Sequence, residues 1–416
     1  MKSYLKLIKY KRVSNILTLL LISSTMWYCV EPFEIETETF ESILIINTTM
    51  TDEVKNQKVI LSRTFRFEDS ITPPELGAEI KVIEGSGIEY TFKAEDDNSG
   101  IYTSENEFAI EPGKEYALTI KTSDGRTYIS DKVTLPQQTI IENVYAKQTT
   151  NDQGVEGVGI FVNTFDPTGN SRYYRYEYEE TYRFKAPFWV ETDVRAVEET
   201  NGEGETEISF EFDVRPLGER TCYGNSLSNE IIITDTNELS EDRLTDFLFR
   251  FIPADDKRLE DRYSILVKQL VQSREANEFY ETLNSFSESE SLFSQVQPGF
   301  ITGNIVSETN PEEKVLGYFE VSSIATRRIF FNRADVLRED LPSFELECFE
   351  VTIAPAPFEP EEDFRRRLRA VINSNRLKFL AAAGGSPGGS VFTFVPRQCG
   401  DCTVFGKSNP PDFWVD

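Results

Sequence analysis

Glu115-Tyr116-Ala117-Leu118-Thr119-Ile120-Lys121, the turn Ser123-Asp124-Gly125-Arg126 and the return Thr127-Tyr128-Ile129-Ser130 decide the fold class of this 416-residue chain. Tyr116, Leu118 and Ile120 alternate with smaller or polar residues, so one face of an extended segment is apolar. Asp124-Gly125 supplies the positive φ that a tight hairpin needs. Upstream, Ile43-Leu44-Ile45-Ile46, Val59-Ile60-Leu61, the alternation around Ile80 and Val82, and Glu89-Tyr90-Thr91-Phe92 repeat the theme. Pro73-Pro74, Gly85-Ser86-Gly87 and Pro112-Gly113 break it into short strands. Such spacing predicts an N-terminal immunoglobulin-like or carboxypeptidase-regulatory-like β-sandwich over residues 42–137. Asp96-Asp97-Asn98-Ser99-Gly100 reads as a turn satisfied by local hydrogen bonds, although its acidic spacing also suits calcium.

Beyond Gln138 the pattern is mixed, and residues 138–416 read as a larger β-rich domain with a few helices. Residues 140–146, 158–164 and 173–184 are strand-like. The last carries Tyr173, Tyr174, Tyr176, Tyr178, Tyr182 and Phe184, which suit a binding face or packing between sheets equally well. The acidic stretch 191–207 reads as a surface loop. After the strand around Tyr263-Ser264-Ile265-Leu266-Val267, Ser273 is a suitable N-cap. Ala276, Phe279, Tyr280, Leu283 and Phe286 then share one face of a helix near 273–286. A second helix is expected over 361–383, with Arg365, Arg366, Arg367 and Arg369 paired to the protein's own carboxylates.

Charge and composition exclude several kinds of chemistry. The net charge of −28 repels phosphate backbones and anionic lipid, so no nucleic acid is expected as a partner. The chain has no histidine, which removes Ser-His-Asp and Cys-His catalysis and His-ligated zinc or haem. With 71 Asp and Glu residues, no carboxylate pair can be singled out for glycosidase-like work. No catalytic residue, cofactor or metal site is therefore assigned. Cys222, Cys348, Cys399 and Cys402 are disulfide candidates with three open connectivities. Cys399-Gly400-Asp401-Cys402 has redox-motif spacing, but nothing resembling a thioredoxin-like unit precedes it. The favoured reading is disulfides that staple the tail to the body.

The amino terminus adds an address. Lys2, Lys6, Lys9, Lys11 and Arg12 precede an apolar run from Ile16 to Trp27, too short for a stable membrane span. Residues 1–28 read as a lipoprotein signal peptide, Cys29 as the lipidated residue and 29–41 as an acidic tether. Met26, Trp27 and Tyr28 are larger than the residues usual before such a cysteine. The alternative is an ordinary signal peptide cut near Ser23 or Ser24.

Taken in order, these pieces resemble the Bacteroidota exported lipoproteins of domain-of-unknown-function family 4249. The resemblance rests on the Cys29 leader, the strand at Ile43 to Ile46, Gly77-Ala78, Gly100-Ile101-Tyr102, and Gly113, Tyr116 and Leu118 with Asp124-Gly125 and Tyr128. It continues through Tyr263 to Val267, Pro298, Gly303-Asn304-Ile305 and Val315-Leu316-Gly317-Tyr318-Phe319. Cys399, Asp401, Cys402 and Pro411-Asp412-Phe413-Trp414 complete it. The family has no established activity. The resemblance implies an outer-membrane lipoprotein, facing the cell surface or the periplasm, whose gene lies beside a TonB-dependent receptor. The function expected on that basis is a non-enzymatic accessory, capturing ligand for a TonB-dependent transporter or docking on its barrel. A β-sandwich surface adhesin and a carboxylate-based hydrolase are the alternatives; the hydrolase requires a cleft with two facing acids, at least one of raised pKa. Acyl labelling tests the anchor: wild type should incorporate label and Cys29→Ala should not, whereas equal labelling would remove this cysteine from the account.

Overall fold

The alternation read at Glu115–Lys121 is present in space, with Tyr116, Leu118 and Ile120 buried and the residues between them less so. A computed structural model describes residues 42–65, 72–200, 202, 206–288, 300–384 and 391–416. Cys29 and its leader lie outside the described residues. The fold is mainly β, with one large mixed sheet, three small ones and few helices.

Its first strands are β1 (Leu44–Thr51), β2 (Lys58–Arg63), β3 (Glu79–Glu84), β4 (Glu89–Ala94), β5 (Ile101–Ser104), β6 (Glu115–Lys121), β7 (Thr127–Ser130) and β8 (Val133–Thr134). There follow β9 (Ile141–Thr150), β10 (Glu156–Asp166), β11 (Tyr173–Lys185), β12 (Thr192–Thr200), β13 (Thr206–Val214), β14 (Thr221–Leu227), β15 (Ile232–Asp235), β16 (Asp242–Pro253) and β17 (Arg262–Val271). Helix α1 (Arg274–Glu288) precedes β18 (Ile305–Ser307) and the long β19 (Val315–Asn332). The chain ends through α2 (Arg333–Val336), β20 (Val351–Ile353), α3 (Glu361–Asn373), β21 (Leu377–Ala383), β22 (Val391–Pro396) and α4 (Arg397–Gly400).

The large sheet runs in the order β14-β11-β17-β19-β1-β2-β5-β4-β3-β6-β7-β18. Its unusual joint is β19. The first half of β19 lies parallel to β1, from Leu44↔Val315 to Thr51↔Ser322. The second half lies antiparallel to β17, from Val271↔Ser323 to Arg262↔Asn332. All other strand pairings among the described residues are antiparallel. The parallel contact is close: a Cβ on Gly317 would stand 2.4 Å from the Ile46 carbonyl oxygen, so only glycine fits.

Buried side chains form separate clusters. One gathers Leu44, Leu61, Val82, Tyr116, Leu118 and their neighbours with Ile305, Val315, Phe319 and Val321, so late strands complete the N-terminal sandwich. A second lies between β11 and β17 on one side and the β16-β10-β9 sheet on the other. There the β11 aromatics are packing residues: Tyr176 sits 5.4 Å from Phe247 and 5.9 Å from Phe249. A third joins the β12–β13 hairpin, α3 and the β20-β22-β21 sheet through Phe210, Phe364, Leu368, Phe379, Phe392 and Phe394.

Two local expectations differ from what is observed. The stretch 191–207, expected as a loop, is largely hairpin, paired from Thr192↔Val214 to Thr200↔Thr206. Val194, Ile208 and Phe210 are buried against α3 while glutamates keep the other face in water, so its low hydropathy hid a period of two. The helix expected over 361–383 occupies Glu361–Asn373. Asn375 turns the chain at φ +52°, and Leu377–Ala383 returns as a strand against β22. Its arginines pair as read: Arg365 with Glu361 at 2.6 Å, Arg367 with Glu359 at 2.8 Å and Arg369 with Glu198 at 2.6 Å.

Candidate functional site

β17 stops where β19 changes neighbours, and α1 starts at that seam. Ser273 caps the helix, its Oγ accepting from the Ala276 N–H at 3.1 Å, with Glu275 in the positive first turn. The apolar face read from sequence packs Ala276, Phe279, Tyr280 and Leu283 on Ile301, Leu316 and Tyr318.

A cavity opens on each side of the helix, and Phe279 and Tyr318 line both. The larger, about 730 Å³, is bordered by Asp131, Glu275, Glu278 and Phe300. The smaller, about 590 Å³, has walls from Tyr178, Leu227, Ile231, Tyr280, Leu283 and Leu316, and its charged groups are Arg175, Glu177, Glu179, Glu230 and Lys268.

The wall between the cavities holds a buried ion pair. Arg175, which lines the smaller cavity, is 8% exposed, and Glu320, which lines the larger, is 1% exposed. Arg175 Nη2 donates to Glu320 Oε2 at 2.9 Å and to Thr49 Oγ1 at 2.9 Å, and Nη1 donates to Glu177 at 2.6 Å. The guanidinium lies 4.7 Å from the centre of the Tyr280 ring. Glu320 also accepts from Gln272 Nε2 at 2.9 Å, Thr49 Oγ1 at 3.2 Å and the Ser322 hydroxyl. Burial works against the charge on Arg175, but Glu320 and the other neighbours more than offset it and push its pKa up. Burial pushes the Tyr280 hydroxyl up as well, with Glu320 adding to the effect. Arg175 Nε is buried and has no hydrogen-bond partner among the described residues. That N–H is an unpaired donor sealed inside the wall.

A second buried carboxylate, Glu180, accepts from Tyr263 at 2.6 Å, Ser226 at 2.7 Å, and Arg250 and Arg258 at 2.9 Å each. Burial alone would raise its pKa; those bonds outweigh it and hold the carboxylate low. The carboxyl pushed up to about 7 is Glu260, by burial first and then by the charge of Asp261, with Lys185 opposing. Asp261 itself is held low by Arg183 and Lys185 against burial. Glu260 lines neither cavity beside α1.

The cysteines form two disulfides, Cys222–Cys402 and Cys348–Cys399, so each member of the CxxC is bonded elsewhere. They join the tail to β14 and to the segment before β20. In the Asp96 turn, the carboxylate accepts from Asn98 N and Ser99 N at 2.7 Å each. Neither periodicity nor motif marks Arg175 or Glu320. Their signal is a charge inside an apolar run: Arg175 among the β11 tyrosines, Glu320 within Val315 to Ile324.

A family profile described as "Domain of unknown function (DUF4249)" matches residues 30–328. The chain belongs to this family. No curated protein matches it. The DUF4249 span holds both cavities and every member of the Arg175–Glu320 network, and it ends four residues before the end of β19. The third cluster draws on both sides of that limit, through β12 and β13 within it and α3, β21 and β22 beyond it.

Two predictions follow from the charges. Glu320→Ala strands Arg175 without its main counter-ion and should cost about 3–5 kcal/mol in denaturant unfolding. Arg175→Met combined with Glu320→Leu should recover most of that loss, because an apolar pair needs no compensation. For Glu260, the folded pKa of about 7 lies above the ordinary carboxyl value, so the folded state holds the extra proton. Its contribution is therefore fully favourable at low pH and is lost as pH rises to about 7. Because the group is only half-buried, solvent screening reduces the effect to about 1–2 kcal/mol. Glu260→Gln should stabilise by that amount at pH 8 and by nothing at pH 4, read from urea midpoints.

Proposed function

We propose that this chain is an exported lipoprotein of the outer membrane, anchored through Cys29, that works as a non-enzymatic accessory to a TonB-dependent transporter. Its role is to hold a small ligand in the cavity between α1 and the edge of β11. One observation carries the reading: a cavity of about 590 Å³, within the size range of small-molecule sites, joins apolar walls to a few converging polar groups. Most charged groups there are bound to one another, Arg175 to Glu320 and Glu177, and Lys268 to Glu179 at 2.5 Å, while Glu230 reaches only Arg250 at 4.0 Å. Such groups orient a ligand; they are not poised to attack one. With Glu177, Glu179 and Glu230 outnumbering Arg175 and Lys268 in the lining, the ligand that suits this cavity has an apolar body and carries no negative charge.

The leader ending at Cys29 and the paired cysteines support an exported, oxidising setting. The charge of −28 favours a body that stands clear of anionic lipid. The test is extraction of native membranes with mild detergent, followed by pull-down of the full chain. A TonB-dependent barrel should co-purify with wild type and be depleted with Cys29→Ala, and deletion should lower uptake of that barrel's substrate. Repeated recovery of no barrel would sink the proposal. Deletion that impairs attachment and spares uptake would favour the adhesin.

A further inference from the structure

Between β20 and α3 the chain reads Ala354-Pro355-Ala356-Pro357-Phe358-Glu359-Pro360. Phe358 is 104% exposed, as open as an aromatic side chain can be, and its φ is +65°. Bulky side chains rarely adopt that conformation. The turn closes with Glu359 N donating to Ala356 O at 3.0 Å, which puts Pro357 second and Phe358 third. Third place at positive φ normally goes to glycine or asparagine. Here a phenylalanine stands there and makes no use of its ring within the fold.

The turn is also firmly held. The Ala356 N–H donates to Glu359 Oε2 at 2.8 Å. Arg367 from α3 grips the same carboxylate with Nε at 3.1 Å and Nη2 at 2.8 Å, and donates to Ala354 O at 2.8 Å. Prolines 355, 357 and 360 stiffen what remains. A strained residue in a rigid frame, with its side chain in water, points outward for its explanation.

The surroundings define the partner. Residues 339–364 contain nine carboxylates. Asp340, Glu359, Glu361, Glu362 and Asp363 pair with the flanking Arg338, Arg365, Arg366 and Arg367, while Glu339, Glu345, Glu347 and Glu350 make no ion pair with a described residue. Glu345, Glu347 and Glu350 are exposed, as is Phe349 at 61%. At most about 30 Å of extended chain separates Phe349 from Phe358, within the span of an ordinary protein interface.

We propose that the Phe358 turn is a preorganised docking knob whose ring enters an apolar pocket, rimmed by lysine or arginine, on a partner protein. Aromatic anchors of this kind dominate binding when they fill a desolvated pocket, and a rigid anchor loses little freedom on docking. An acidic rim steers toward a basic partner and away from an anionic bilayer. The inference holds whatever occupies the cavities beside α1, and so stands apart from the transporter reading.

The test uses the full chain in membranes of its own cells, with the photo-cross-linker p-benzoylphenylalanine in place of exposed Glu362. The expected result is one protein adduct whose contacted peptide carries apolar residues flanked by Lys or Arg. Its yield should fall about 30-fold with Phe358→Gly and about 10-fold with Glu345→Lys, Glu347→Lys and Glu350→Lys combined. Phe358→Gly should meanwhile keep or raise the unfolding midpoint, because glycine takes φ +65° without strain. The proposal is overturned by no adduct, by an adduct to lipid, or by a yield indifferent to Phe358→Gly. A lowered midpoint in that variant would also overturn it, since the ring would then serve the fold.

Discussion

The parallel seat of β1 against the first half of β19 is the constraint on which the other features depend. It joins residues about 270 positions apart, Leu44 with Val315 and Thr51 with Ser322. Such a contact cannot form until most of the chain has been brought back, which is entropically costly and kinetically slow. Once made, it fixes everything near the seam. Thr49 lies opposite Glu320, and β17 ends at Val271 beside Ser323. The space left where β17 stops is filled by Gln272, Asn277 and the start of α1, Asn277 Nδ2 donating to Gln272 Oε1 at 3.2 Å.

The buried charges at that seam are tolerable only because they are fully bonded. Taking a carboxylate and a guanidinium out of water costs several kcal/mol for each ion, and their attraction repays it only with good geometry. Glu320 meets that condition with donors from Arg175, Gln272, Ser322 and Thr49, which use its available lone pairs. Those donors come from β11, β19, β1 and the link into α1. The pair therefore adds little net stability but reports on assembly, being satisfied only when all four segments are in register. The cavities flank it because a helix lying across a seam covers the centre and leaves space on both sides.

What was legible in the sequence was local. The Glu115-to-Ser130 hairpin, the Ser273 cap and the apolar face of α1 each depend on residues within a few positions of one another, and each is found where periodicity puts it. The completion of the N-terminal sandwich by β18 and β19 was not legible, because nothing in residues 42–137 records which distant strands will pair with β1 and β7. The disulfide pairing was hidden for the same reason. The β12–β13 hairpin failed differently: its exposed glutamates outweigh the alternate buried positions in any average over the stretch. Arg175 and Glu320 look like ordinary surface charges until the strands around them are buried on both faces.

The part built on α3 and the β20-β22-β21 sheet follows a different physical logic from the seam. Its core is small, eight buried side chains shared with the β12–β13 hairpin, and so limited an apolar interior supplies little stability alone. The two disulfides make up the difference by removing freedom from the unfolded chain, Cys222 and Cys402 being 180 positions apart and Cys348 and Cys399 51. They also do something a larger core would not. By tying β14 and the segment before β20 to the terminal turns, they hold the exposed acidic stretch around Phe349 to the body at defined points. A phenylalanine at positive φ persists only where its surroundings over-determine it. Arg367 supplies that locally, through the Glu359 carboxylate and the Ala354 carbonyl.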